Sequence, residues 1–205
     1  METATSFGGP FILLPKRLAD EWSKAIGDSP EPDSGLYGEV CGNEDFMHLI
    51  SFQGSTVVRI AEEPSDLFWI PDDRGGLVLQ WVGADSRDDL VAFGQKVAST
   101  SEWQETLEFT ITDPELRIMD SCGFDGDDQP KIDLSIDPGE YQISATYAED
   151  ENTMATVFRL TKKGLSEQGV ALNTCPAASS IRHDHSTLNP QSKPHPRAGV
   201  RGLRR

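Results

Sequence analysis

Short runs of alternating apolar residues, each cut off by a turn signal, dominate this chain and limit it to a largely antiparallel β architecture. Met47-His-Leu-Ile-Ser-Phe and Thr56-Val-Val-Arg-Ile flank Gln53-Gly54-Ser55 and predict a hairpin. Leu107, Phe109 and Ile111 alternate up to Asp113-Pro114, after which Leu116-Arg-Ile-Met predicts the second arm of another hairpin. Ile132, Leu134 and Ile136 lead into Asp137-Pro138-Gly139-Glu140, with Pro and Gly at the central positions of a type II turn. Tyr141, Ile143, Ala145 and Tyr147 alternate next, and Met154, Thr156, Phe158 and Leu160 alternate after a polar turn, so the body closes on a meander.

The stretch from Trp69 to Ser86 poses a choice between a ligand loop and a scaffold elbow, because Gly75-Gly76 sits between two tryptophans. A phosphate loop needs a helix with Lys and Ser/Thr after its glycines. Here Leu77, Leu79 and Trp81 instead mark one face of a second strand, so the glycines read as a turn. Trp22, Trp69 and Trp81 are expected in the core. Two helices interrupt the strands. Leu18, Trp22 and Ile26 recur every four residues within 16–26 and stop at Gly27. Ser86-Arg-Asp-Asp89 has the form of a capping box ahead of Leu90, Phe93 and Val97. Phe11–Leu14 is a further short strand, ended by Pro15.

Together these elements predict an α+β fold: a mainly antiparallel sheet of about eight strands in meander order, with two helices packed on one face. Beyond Lys163 no apolar period survives, and Pro, Ser, Gly, His and Arg dominate. Residues 1–163 are therefore expected to form one domain, and residues 164–205 a disordered basic tail. The charge divides near the same place, at residue 160. Residues 161–205 carry eight Lys/Arg against two Asp/Glu, while residues 1–160 carry ten against 32, so the chain's −16 separates into +6 and −22. An acidic body of that size repels nucleic acid and attracts cationic partners. It also works against any contact of Arg197, Arg201, Arg204 and Arg205 with nucleic acid or lipid headgroups, and the tail reads as an inert extension.

No apolar run approaches the roughly 20 residues a bilayer crossing needs, and the N-terminus lacks the basic and apolar regions of a signal peptide. A cytoplasmic location is expected. Cys41, Cys122 and Cys175 form no Cys-x-x-Cys pair and read as free thiols.

Motifs for chemistry are few. In the acidic run Asp120–Gln129, counting from Asp120 or Asp125 puts Lys131 or Ile136 where a calcium loop requires a bidentate Glu. His183-Asp184-His185 lies in the biased tail, where histidine pairs arise from composition. No metal and no cofactor is expected. His48 with Asp85 or Asp120, acids at strand ends, is the one combination that suggests an enzyme, a small hydrolase. A partner-binding role instead draws on acids in turns and loops. Asp28, Glu31 and Asp33 lie in a stretch rich in Pro and acids, and Asp125, Asp127 and Asp128 in a Gly-Asp turn.

The order of several signatures resembles the immunity protein 21 family of bacterial polymorphic toxin systems. They are Gly8-Gly9-Pro10-Phe-Ile-Leu-Leu-Pro15 with Trp22, Trp69-Ile-Pro71, Gly75-Gly76-Leu77 and Trp81-Val-Gly-Ala-Asp85-Ser86. Leu107-Glu-Phe109, Asp120-Ser121, Ile132-Asp-Leu-Ser-Ile136, Pro138-Gly139-Glu-Tyr141 and Phe158-Arg-Leu160 continue the series. They span about residues 7–160; the tail and the Asp125-Gly-Asp-Asp128 insert have no counterpart. The resemblance implies a cytosolic, non-enzymatic protein that captures a cognate toxin; a monomer rather than an obligate oligomer is expected.

Overall fold

In the computed structural model the described residues are 2–6, 8–27, 35–42, 45–61, 64–122 and 130–164. Eleven strands are formed among them. The first sheet has the order β1 (Thr3–Thr5), β5 (Asp66–Asp72), β6 (Gly75–Gly83), β11 (Met154–Lys162), β10 (Gly139–Glu149) and β7 (Glu105–Ile111). The second runs β3 (Met47–Phe52), β4 (Ser55–Ile60), β2 (Phe11–Pro15), β8 (Glu115–Asp120) and β9 (Ile132–Ser135). Every pairing is antiparallel.

The expected α+β class holds, and the strands are shared between two sheets rather than one. The central core lies between them, with Phe11, Leu13, Val58 and Ile60 from the second sheet meeting Val78, Phe109, Ile143 and Phe158 from the first. Helices cover both outer faces. A short 3-10 turn (Lys16–Leu18), α1 (Ala19–Gly27) and α2 (Gly35–Cys41) close over the second sheet, where Trp22 and Val40 pack with Ile12, Leu14, Ile50 and Val57. On the far side α3 (Arg87–Thr100) packs Leu90, Phe93 and Val97 on Leu77, Leu79 and Val157. The two helices expected on one face therefore sit on opposite faces. Four layers explain why all five residues of Phe11–Pro15 are buried: both faces of that strand are covered, as its unbroken apolar run requires.

The anticipated hairpin across Asp113-Pro114 is replaced by a crossing between sheets. β7 pairs with β10 through Phe109↔Tyr141, and β8 pairs with β2 through Ile118↔Leu13. Alternation followed by a turn is common to both arrangements, and only the choice of partner separates them. The β3–β4 hairpin forms as expected, with Gln53 and Gly54 at φ 48° and 77° in its two-residue turn.

The tryptophan elbow is scaffold. Pro71 and Asp72 pair with Gly76 and Gly75 in the β5–β6 hairpin, and Asp72 accepts the Arg74 N–H at 2.9 Å. Gly76 is at φ 155°, and a Cβ there would stand 2.6 Å from the Trp69 ring, so the ring lies directly over the glycine. Trp22 and Trp69 are buried as expected, whereas Trp81 is only half-buried, tilted against Phe68 at the rim of the α3 layer.

One ion cluster ties β8, β9 and the 3-10 turn. Arg117 grips Asp133 with two hydrogen bonds of 2.7 and 3.1 Å, and the Lys16 ammonium lies 2.7 Å away. The Arg117 hydrogen bonds are the main reason the Asp133 carboxyl is lowered to about 2. A group whose folded value lies below its unfolded one contributes stability above the unfolded value and loses it as pH falls towards the folded one. Because Asp133 is partly exposed, Asp133→Asn is expected to cost only ~0.5–1 kcal/mol at neutral pH. Urea midpoints of the two chains should converge below about pH 4; a gap that stays constant into acid would remove Asp133 from the stabilising pair.

Candidate functional site

Asp28, Glu31 and Asp33, and Asp125, Asp127 and Asp128, all lie outside the described residues, as does the His183-Asp184-His185 segment. The hydrolase combination is not assembled. His48 faces Arg59 on β4, which faces Ile12 on β2, which faces Met119 on β8. Three strand spacings of about 4.8 Å therefore separate His48 from the Asp120 strand. Asp85 belongs to the other side of the molecule, beside α3.

Asp120 is instead a buried structural acceptor. Its two oxygens take the Ser6 hydroxyl at 3.0 Å and the Cys122 N–H at 2.8 Å. The Ser6 hydroxyl oxygen accepts the Gly9 N–H, Pro10 accepts the Ser121 N–H, and the Ser121 carbonyl accepts the Trp22 indole N–H at 2.8 Å. A Cβ on Gly9 would meet Cys122 Sγ and Asp120 Oδ1 at 2.5 and 2.9 Å. Gly9-Pro10, Trp22 and Asp120-Ser121, three of the signatures behind the family resemblance, thus meet in one node of the scaffold.

Burial is the main cause of the shifts at Cys122 and Glu105. Burial pushes the Cys122 thiol up to about 11, with Cys41 nearby raising it further, which disfavours a thiolate. Both of these cysteines are free. Burial also raises Glu105, whose carboxylate accepts the Phe46 N–H at 2.9 Å and joins the two sheets. Among the described residues no group of three His, Cys, Asp or Glu is placed to hold a metal ion. No helix among them is long and apolar enough to cross a membrane.

Two clefts flank α3. One of about 460 Å³ adjoins the elbow, with Ile70, Leu77 and Trp103 beneath the Arg159–Asp72 ion pair of 2.8 Å. The other, about 360 Å³, lies between the start of α3 and the β10–β11 turn and is lined by Asp85, Asp89 and Asp150, with Lys96 as its cation. The same turn borders an apolar patch. Val82, Tyr147 and Met154 are the large hydrophobics left exposed among the described residues, at 42, 37 and 40%, and they lie on three neighbouring strands. Tyr147 and Met154 occupy apolar positions of alternating runs, whereas Val82 lies on the face of its strand opposite Leu77, Leu79 and Trp81. The signal that separates them is strand length, since β10 has eleven residues and β2 only five.

The immunity protein 21 family model matches residues 3–154. The chain belongs to the immunity protein 21 family. No curated protein and no solved structure matches it. The match to immunity protein 21 ends at the first residue of β11, yet β11 pairs along its length with β6 and β10. The folded unit of this family member therefore extends at least to Lys162.

Proposed function

We propose that this chain is a non-enzymatic immunity protein that binds and neutralises the cognate toxin of a bacterial polymorphic toxin system, acting in the cytoplasm as a monomer. The observation that carries the reading is the family match over residues 3–154. The −22 balance of residues 1–160 supports an acidic surface as the means of capture, suited to a nuclease or another toxin with a cation-lined face. Asp28, Glu31, Asp33, Asp125, Asp127 and Asp128 remain candidate contacts. The test is to express the toxin domain encoded beside this gene with and without the chain. Growth should be restored by the full chain, and the purified pair should associate more slowly as salt rises. A neighbouring toxin that kills regardless and does not bind would end the reading.

The tail contributes little to that capture. A chain ending at Lys163 is expected to fold, to melt within a few degrees of the full chain, and to bind the toxin within about tenfold, or ~1.4 kcal/mol. Loss of folding or of toxin binding on truncation would move the functional boundary into residues 164–205.

A further inference from the structure

Along the inner face of the first sheet, β6 presents Val78, Gln80 and then Val82, and β11 presents Phe158, Thr156 and then Met154. Val78 and Phe158 belong to the central core. Gln80 and Thr156 are also buried, and Gln80 donates to the Ser65 hydroxyl at 3.1 Å. These polar side chains close the end of the sandwich. Beyond them the face turns apolar again in open solvent. Glu149↔Met154 and Tyr147↔Thr156 keep Tyr147 on this face, and the register shift at Met154/Ala155 brings Val82 and Gly83 against Met154.

Single exposed hydrophobics need no explanation, but the gathering of all three in one place does. Val82 and Met154 lie past the polar closure, and Tyr147 lies level with it, opposite Thr156. The charge around them is mainly acidic: Asp85, Asp89, Glu149 and Asp150 are exposed at this end, with Lys96 the cation of the same cleft. The opposite end of the same sheet carries Arg74, Arg159, Lys162 and Lys163 around the β5–β6 turn, the last three paired with Asp72, Asp137 and Glu108. The sheet therefore presents an apolar spot with an acidic rim at one end only. Desolvated apolar anchors within a charged rim are the arrangement that gives residence time and steered encounter together.

We infer that this end of the first sheet is the face on which the toxin docks, through a basic segment whose Lys or Arg side chains flank an apolar one. The assignment rests on the immunity reading. In the complex the apolar side chain covers Val82, Tyr147 and Met154, and the flanking cations enter the cleft of Asp85, Asp89 and Asp150.

The test uses the full chain and the toxin domain encoded beside it. Tyr147→Ala with Met154→Ala should raise Kd by about 30-fold or more, mostly through dissociation. Asp85→Lys with Asp150→Lys should slow association about tenfold at low salt and flatten its salt dependence. Asp73→Lys, a single reversal of the same kind at the far turn, should leave both rates within about threefold. Melting temperatures of all variants should match the parent, and amide exchange around 147–154 should slow in the complex. Parental affinity in the first two variants, without protection at 147–154, would overturn the surface and leave the immunity reading standing. A wild-type chain that does not bind the toxin would overturn both. Variants that dissolve a dimer of this chain while leaving toxin affinity unchanged would assign the patch to a second copy and overturn the toxin assignment.

Discussion

Trp22→Ala is expected to remove about 4–5 kcal/mol of folding stability, the largest single-residue loss in this chain. The indole is fully buried between α1 and the second sheet, edge-on to Phe52 with ring centroids 5.1 Å apart, and it donates to the Ser121 carbonyl. Truncation removes a large apolar volume that Ile12, Leu14 and Met119 cannot fill, because their own strands are pinned on both edges. It also leaves a buried carbonyl without its donor, worth a further ~1–3 kcal/mol that overlaps with the cavity cost. A domain with about 5–15 kcal/mol in total would then be close to unfolding at its working temperature. Trp22→Phe keeps most of the volume and isolates the hydrogen bond, so its loss should be nearer ~2 kcal/mol. Urea unfolding followed by far-UV circular dichroism measures both. A Trp22→Ala midpoint unchanged from the parent would mean that α1 is not seated on the second sheet.

That indole was legible from its four-residue spacing with Leu18 and Ile26, and so were the strands, because alternation and turn residues are local signals. Partnership between strands is not local. Asp113-Pro114 reads as a hairpin turn, yet the chain there leaves one sheet for the other, since Phe109 and Ile118 find their neighbours on β10 and β2. The helix Gly35–Cys41 was missed because seven residues hold too little period to register, and only Val40 is fully buried. Thr3–Thr5 was missed as well, being three residues that become a strand only against Asp66–Phe68. The exposed patch was hidden for the opposite reason. Tyr147 and Met154 obey the pattern of buried residues, Val82 falls on the face opposite Leu77, Leu79 and Trp81, and what exposes all three is that their strands outrun the sheet that covers the rest. The acids chosen from loops fall outside the described residues, whereas Asp85, first considered as a hydrolase acid, lies beside the patch in the Asp89–Asp150 cleft.

Asp120→Ala should cost about 3 kcal/mol, which is large for a polar residue and comes from groups left behind rather than from the carboxylate itself. The side chain is 1% exposed, so water cannot readily replace it. Its removal leaves the Cys122 N–H without an acceptor and takes one partner from Ser6, whose oxygen also holds the Gly8 and Gly9 N–H groups at 3.3 and 3.2 Å. The loop before β2 and the end of β8 are joined through this node, and the Ser121 carbonyl that receives Trp22 follows directly in the chain. Asp120→Asn keeps the shape and one acceptor, and should lose only ~1 kcal/mol. Ser6→Ala, Asp120→Ala and the double variant form a cycle in which shared hydrogen bonding predicts a coupling of about 1 kcal/mol or more. A node that serves only the scaffold should also leave toxin affinity within about threefold in the Asn variant once folding is confirmed. Additive losses in the cycle would mean that Ser6 and Asp120 stabilise the chain independently, and a large drop in toxin affinity for a folded Asn variant would move the docking face to this node.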